Sequence, residues 1–565
     1  MVSYPYPARG ISRLHFAHPA SRAILAGLAA SLWLAAPTAF AQWGPANEHN
    51  CPSVANSAEP PYVGSGHAGF SPNQSLCLPQ LAPIGGPSGP LAFVVQGVEP
   101  GIRVDSQGTI YIDSIRGVPG GADAWRWYAP ADGGANGNQT LPFKYEGQPD
   151  ACGILSGGCT NNPSGLAPGG GDADIAVNAP DPMNSLIPNL AFVSLSLANV
   201  TATHSIDRGD NFFGEQVANL VQIPNPASTD IPGDDRMWID ADADPSTVYM
   251  NYHDVGTFNI EVQRSNDGGA TYNDGIGEAI DVLTQPAASG FGTNSGNIAG
   301  QIRIDRNTNG CPSRGNLYQI FVAPDSAQEN ATGRPLRTVY VGVSTPAQHA
   351  VSPFIFTDYK IYTSPPGSPG ATNGAGQIFP ALATDNNGWV YAVWSDNTNI
   401  WFSSSSTQGK TWLVNPVRVN KGSTVGKANV FPWVAADANG HAVVAWLGGD
   451  RVGNSNTTPA NWNVYAAETV NGNVLNPSFM QHQASDHIIH TGTVSTGGLG
   501  GSADRSLADF FQVALDPQHR ANIAYADNHD PSNFHVGVPY FTRQLTANPG
   551  IVFPSGPSSC FQPVH

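Results

Sequence analysis

The sequence predicts an all-β protein, a β-propeller of seven blades, with six blades as the alternative count. Three observations predict it. The pattern Ser-x-Asp-x-Gly-x-Thr-aromatic occurs three times, each copy within one substitution. A longer unit occurs seven times, at intervals of roughly 50 to 80 residues. It is an apolar strand ending in Asp or Asn, a short turn, then a strand rich in β-branched and aromatic residues. The composition, 63 Gly and 48 Pro in 565 residues with only 12% charged, is poor in long-helix formers and rich in turn formers.

In chain order, residues 1–41 read as a signal peptide. Arg9, Arg13 and Arg22 precede an apolar run from Ala23 to Ala36, and Ala39-Phe40-Ala41 is a small-residue cleavage site before Gln42. The run is too short to span a bilayer. Residues 42–90 are rich in Pro and Gly and read as an extension without its own core. Leu91-Ala-Phe-Val-Val-Gln96 reads as a strand, expected to be the outer strand of the last blade and so to close the ring.

The propeller then runs over 91–543. Its seven strand pairs begin with Ile102 to Tyr111, Asp174 to Asn178, Trp238 to Asp242 and Ile302 to Asp305. Ala381 to Tyr391, Val434 to Gly440 and Val513 to Asp516 follow. Asn-Gly between alternating strands is a strong hairpin signal. Residues 544–565 form a tail.

The eight-residue copies start at Ser205, Ser265 and Ser405, with Asn211 replacing Thr in the first and Thr407 replacing Asp in the last. The Ser hydroxyl and Asp carboxylate accept backbone N–H groups left unpaired by a tight turn. The Gly supplies positive φ. These are turn residues, expected between the third and fourth strands of blades 2, 3 and 5. In blade 4 a degenerate Ser364-Pro-Pro-Gly367 is expected there.

A net charge of −18 excludes nucleic acid as the expected partner, because phosphate binding needs clustered Lys and Arg. The six Cys in an exported chain predict three disulfides, with several connectivities open. Cys152 with Cys159, Cys51 with Cys77, and Cys311 with Cys560 are the expected pairs. No Cys-x-x-Cys is present, which gives redox and zinc readings little support. The expected product is a secreted or periplasmic monomer with no membrane span.

Strand geometry separates two faces. The first-to-second and third-to-fourth turns share one face; a site belongs on the other, around the central funnel. There the sequence places Asp235, Arg236, Asp254, Asp396, Arg505 and Asp509 as catalytic candidates. Trp394, Trp446, Arg451, Tyr252, His253 and Arg303 are the substrate-binding candidates. Rings stack on sugar faces and carboxylates bind hydroxyls. The competing expectation is that such residues cap strand ends and pair across blades.

Taken together, these features resemble the sialidase-like, or BNR-repeat, superfamily of Asp-box propellers over residues 91–543. Asp235-Arg236-Met-Trp238-Ile, Tyr249 to Asp254, and Arg505-Ser-Leu-Ala-Asp509-Phe-Phe511 look like segments of exported bacterial exo-α-sialidase-like proteins. The resemblance implies carbohydrate chemistry with an Arg clamp, a Tyr nucleophile activated by Glu, and an Asp acid–base. This chain departs from it: no Phe-Arg-Ile-Pro-type motif precedes the first box, and no Tyr–Glu pair stands out. Arg236, Arg303, Arg451 and Arg505 are the clamp candidates. Two carboxylates among Asp235, Asp254, Asp396 and Asp509 are expected to carry any glycosidase chemistry.

Two classes follow: a glycoside hydrolase-like or lyase-like enzyme at the funnel, or a non-catalytic glycan- or protein-binding propeller. An enzyme needs paired carboxylates near an Arg. A serine-hydrolase elbow is absent. His487-Ile-Ile-His490 is too sparse to read as a metal site. No cofactor is expected. Calcium is the one ion the acidic stretches at Asp240, Asp242 and Asp244, or at Asp172 and Asp174, are weighed for, and they lack the EF-hand Gly and distal Glu.

Overall fold

Runs such as Val390–Ser395 and Leu317–Ala323 are buried at every position. Such strands must sit inside stacked sheets. In the computed structural model, seven antiparallel sheets stack around an axis as a seven-bladed β-propeller. The structure describes residues 69–76, 78, 96–118, 120–132, 140–150, 169–181, 186–196, 199–217, 221–223, 225–226, 234–254, 259–278, 297–307, 310–326, 329, 336–365, 374–437, 439–498, 502–529, 537–546 and 560. Residues 1–41, Leu91 to Val95, Cys51, Cys77, Cys152 and Cys159 lie outside them.

From the axis outward, blade 1 is Val98–Val104, Ile110–Ile115, Ala122–Trp127 and Lys144–Gly147. Blade 2 is Ala173–Asp181, Ile187–Ser196, Asn199–Ser205 and Asn225–Pro226. Blade 3 is Asp234–Ala241, Val248–Asp254, Ile260–Ser265 and Asp274–Glu278. Blade 4 is Ile298–Ile304, Leu317–Ala323, Thr338–Ser344 and Thr357–Thr363. Blade 5 is Ala381–Thr384, Val390–Ser395, Ile400–Ser405 and Val417–Arg418. Blade 6 is Asn429–Ala436, Ala442–Gly449, Ala460–Thr469 and Met480–Gln483, with His490–Gly492 also on its third strand. Blade 7 is Gln512–Leu515, Ala521–Asp527 and Val538–Arg543, completed by Gln74–Ser75.

The closing strand corrects one expectation. Gln74 pairs with Phe541 and Ser75 with Tyr540, so a segment of the N-terminal extension closes the ring. The reason is polar satisfaction. Gln74 Nε2 donates to Leu141 O and Leu141 N donates to Gln74 Oε1, both at 2.8 Å. Tyr525 Oη donates to Asn73 Oδ1 at 2.6 Å. Leu76 and Leu78 are buried beside them.

The strand-ending Asp residues cap their own turns. Asp105 Oδ1 accepts from Gln107 and Thr109 N, Asp385 Oδ1 from Asn387 and Trp389 N, and Asp516 Oδ1 from Gln518 and Arg520 N. The eight-residue pattern sits at the third-to-fourth turn of blades 2, 3 and 5. At Ser265 the hydroxyl accepts from Gly269 N at 2.9 Å, and Asp267 accepts from Thr271 N at 2.9 Å and Thr271 Oγ1 at 2.6 Å. Asn211 Nδ2 takes the Thr role on Asp207 at 2.6 Å. In blade 4 the equivalent turn follows Ser344, where Thr345 N and Oγ1 both donate to Gln348 Oε1 at 2.9 Å. Ser364 follows the fourth strand instead, because the hairpin from Ser344 to Thr357 is longer than the repeat.

Inner strands are stitched across blades. Gln512 accepts from Ile102 N at 3.2 Å, Asp174 from Ile239 N at 2.9 Å, and Asp240 from Ile304 N at 2.9 Å. Arg103 donates two bonds of 2.9 Å to Asp174. The expected Cys311–Cys560 disulfide is present, with Cα atoms 5.2 Å apart. Among the described residues no helix is long and apolar enough to cross a membrane.

Candidate functional site

An Asp directly follows the inner strand in six blades, Asn178 is its counterpart within the blade 2 strand, and the residue six positions earlier stands at or near the strand's entry. Around the ring these are Glu99, Asp172, Arg236, Ala299, Phe379, Phe431 and Phe510. Blades 1 to 3 thus contribute charge, and blades 5 to 7 contribute aromatics. Local backbone positions some of them. At Glu99, Arg236 and Phe431 φ is 52°, 57° and 56°, a left-handed conformation rare outside Gly. The ladder skips there: Asp235 pairs with His253, then Trp238 with Asn251. Such a bulge re-aims a side chain that regular alternation would bury between sheets.

The charged half closes on Arg236. Its guanidinium lies 2.5 Å from Asp509, 3.6 Å from Asp172, 3.6 Å from Asp235 and 3.7 Å from Glu99. It stands over the Phe379 ring at 5.1 Å. Arg505 donates to the same Asp509 oxygen at 2.9 Å, and Asp509 N donates to Glu99 Oε1 at 3.0 Å. A Cβ at Gly498 would lie 3.3 Å from Arg236 Nη2 and 3.7 Å from Arg505 Nη1, so a loop without side chain rests on both cations.

Burial, with Asp172 and Asp509 adding to it, pushes the Glu99 carboxyl well above the usual carboxylate range against the opposing pull of Arg236. The site therefore favours the neutral form of Glu99 more than water does. Burial alone would lower Arg236, yet Asp172, Asp509, Glu99 and Asp235 outweigh it and hold it charged. Asp235 is raised by burial and by Asp172, with Arg236 opposing. Burial lowers His253, which is neutral at pH 7.

The aromatic half is packed. Trp238 meets Phe379 at 5.1 Å, Phe379 meets Phe510 at 6.2 Å, and Trp433 meets Phe510 at 5.8 Å. Beside this centre lies a cavity of about 360 Å³. Asp235, Arg236, His253, Ile378, Phe379 and Thr496 are among its lining residues.

The structure brings together Asp235, Arg236, Arg505 and Asp509 around one guanidinium, with His253 beside Asp235. It places the remaining expected residues elsewhere. Asp254 is buried at the end of its strand, paired in register with Asp234. Asp396 caps a turn, accepting from Thr398 N, Asn399 N and Trp401 Nε1. Trp394 is buried and stacks on Tyr362; Trp446 is buried, stacks on Tyr465 and donates to Asn429. Arg303 lies between blades, 3.7 Å from Asp240. Arg451 is exposed, 3.7 Å from Asp450. Tyr252 donates to Glu261 at 3.3 Å, a Tyr–Glu contact in the core with Tyr252 wholly buried. Of the acidic stretches, Asp240 is engaged by Arg306 and Asp174 by Arg103.

Glu99 and Asp172 escaped sequence reasoning as funnel residues. The six-residue offset from the strand-ending Asp or Asn was the available signal. It registers Glu99, Asp172 and Arg236 on adjacent blades.

Fold and funnel define a seven-bladed β-propeller. No protein-family model and no curated protein matches the chain. Solved structures do. A point mutant of the α-L-arabinofuranosidase Arb93A from Fusarium graminearum is 13% identical, covering 53% of this chain and 89% of that one, TM-score 0.30. A point mutant of the NanB sialidase from Streptococcus pneumoniae is 9% identical, covering 81% and 72%, TM-score 0.37. The polysaccharide lyase Uly1 is 8% identical, covering 80% and 91%, TM-score 0.40.

Proposed function

We propose that this chain is an exported glycoside hydrolase working on a glycan at the funnel. The observation that carries the reading is Asp235. Its side chain is 33% exposed, its carboxyl is raised, and it lines the cavity with Arg236 and His253. A raised carboxyl that reaches solvent is suited to protonate a leaving glycosidic oxygen. Neutral His253 is suited to take a proton from the attacking water. The carboxylates gathered on Arg236 supply negative potential for an oxocarbenium-like transition state. Phe379 offers an apolar floor beside them.

The substrate class follows from charge. Arg236 is surrounded by four carboxyl groups and is not available as an open clamp for a substrate acid. A neutral glycan fits this funnel better than a sialoside. Trp394 and Trp446, the aromatics a binding propeller would present, are buried, which favours the enzyme reading over the binding one. Export rests on the leader at 1–41 and suits the Cys311–Cys560 disulfide.

The test is a hydrolysis screen of neutral and acidic glycans with the unmodified protein, Asp235→Asn and Asp396→Asn. Turnover should fall about 100-fold or more in Asp235→Asn. It should persist in Asp396→Asn, whose carboxylate caps a turn. Full turnover in Asp235→Asn overturns the assignment. An unsaturated sugar product would make the reaction an elimination instead. Glycan binding without any turnover would make the chain a lectin-like module.

A further inference from the structure

On the face opposite the funnel opening, side chains of blades 6 and 7 converge on one carboxylate. Asp437 and His441 flank the first turn of blade 6, and His519 lies in the matching turn of blade 7. His441 Nδ1 is 2.6 Å from Asp437 Oδ1, and His519 Nδ1 is 2.6 Å from Asp437 Oδ2. One ligand atom from each of the three residues lies within 4.8 Å of the others. The other ring nitrogen of His441, Nε2, meets Glu468 Oε1 at 3.0 Å. Glu468 Oε2 in turn accepts from Gln544 Nε2 at 3.0 Å. His519 is held at φ 63°, a left-handed conformation that the turn retains.

We propose that Asp437, His441 and His519 form a binding site for one divalent transition-metal cation of the zinc type, tying blade 6 to blade 7. The donor set is two imidazoles and a carboxylate, which suits zinc and its neighbours; calcium and magnesium take oxygen ligands. Tetrahedral zinc holds nitrogen and oxygen donors at about 2.0–2.2 Å, hence about 3.3 Å from one another. The two contacts of Asp437, to each ring at 2.6 Å, are shorter than that value, so seating an ion asks these side chains to draw slightly apart. The strongest support is Glu468. A metal-ligating His characteristically passes its other N–H to a carboxylate, which fixes ring and tautomer, and that partner is already in place on His441.

Access also fits. The side chains of Asp437 and His519 are 20% and 30% exposed, while His441 is 1% exposed. In a similar group, His487, Asp527 and His529, the two imidazoles reach solvent at 14% and 28%, but the carboxylate does not. The Asp527 carboxylate is wholly enclosed, and the two rings pack at 4.5 Å against each other beside Tyr540. The role is structural, since the site lies across the molecule from Arg236. An ion bound to the folded ring alone stabilises it by mass action.

The experiment uses the full chain, freed of metal with a chelator and dialysed. Zn²⁺ is titrated by calorimetry and thermal unfolding, and Co²⁺ is added as a spectroscopic probe. One ion per chain, a raised Tm and a tetrahedral Co²⁺ spectrum are expected. His519→Ala should weaken binding at least tenfold, and His529→Ala should not. Absence of binding overturns the proposal. So does binding that survives His519→Ala or is lost in His529→Ala. Should His519→Ala fail to fold, the unmodified protein decides: an octahedral, all-oxygen Co²⁺ spectrum refutes the site.

Discussion

Glu99 is defined by three other residues. Asp172 and Asp509 crowd it with negative charge, and Arg236 cannot serve four carboxyl groups at once. A proton held within the group relieves the conflict, and burial with two acidic neighbours favours it on Glu99. Glutamine mimics a protonated Glu, keeping the acceptor for Asp509 N and a donor toward Asp172. Glu99→Gln should therefore change stability at pH 7 by less than about 1 kcal/mol in urea unfolding, whereas removing a buried charged partner costs about 3–5 kcal/mol. A loss of that larger size would show Glu99 to be ionised. This proton-sharing was not legible in the sequence, because Glu99, Asp172 and Asp509 come from different blades. Asp235, Arg236, Arg505 and Asp509 were legible, as charges at strand entries. Trp394 and Trp446 misled because a strand-end aromatic reads alike whether it faces a funnel or the next sheet. Here both lie between sheets.

Elements with a local signal could be read; those defined by distant contacts could not. The seven inner strands announce themselves through an Asp or Asn near their ends, followed in three of them by a Gly turn. The closing strand Gln74–Ser75 is two residues long, and its partner is more than 460 residues away. The strand-like Leu91 to Gln96 was the better local pattern. The pattern at Ser405 shows how local chemistry sets a turn's strength. Thr407 Oγ1 accepts from Thr411 N at 2.8 Å and shares a 2.6 Å contact with Thr411 Oγ1. At Ser265 the two Asp267 oxygens divide the same tasks, and the charge strengthens both bonds. Thr407→Asp should raise stability by about 0.5–1 kcal/mol, read as a higher urea midpoint at unchanged slope. A lower midpoint would mean that the blade 5 turn does not tolerate the charge.

At the scale of the whole ring, integrity rests on the junction between blades 6 and 7 and the N-terminal segment that completes blade 7. His487 stands at that junction. Its Nδ1 is 2.8 Å from Asp486 Oδ1 and its Nε2 is 2.6 Å from Asp527 Oδ2. Asp486 also accepts from Asn73 N at 3.1 Å, beside the closing strand. His529 and Tyr540 pack against the ring. Burial would lower its pKa, but hydrogen bonds and charge from Asp486 and Asp527 prevail and push it up to about 9. A pKa raised on folding means that the folded state binds the proton more tightly than the unfolded chain. The resulting stability is fully present below about 6.5, the unfolded value, and is lost as pH rises through about 9. Its size is on the order of 2 kcal/mol for a largely buried group. The unmodified chain should lose Tm steadily between pH 6.5 and 9, and His487→Asn should start lower and lose less over the same range. Parallel curves for the two proteins would place the pH dependence elsewhere. Because the closing segment contributes so little strand of its own, this junction is where alkaline unfolding should begin. Amide exchange at Ser75 and Tyr540 should then rise before exchange in the inner strands of blades 3 to 5.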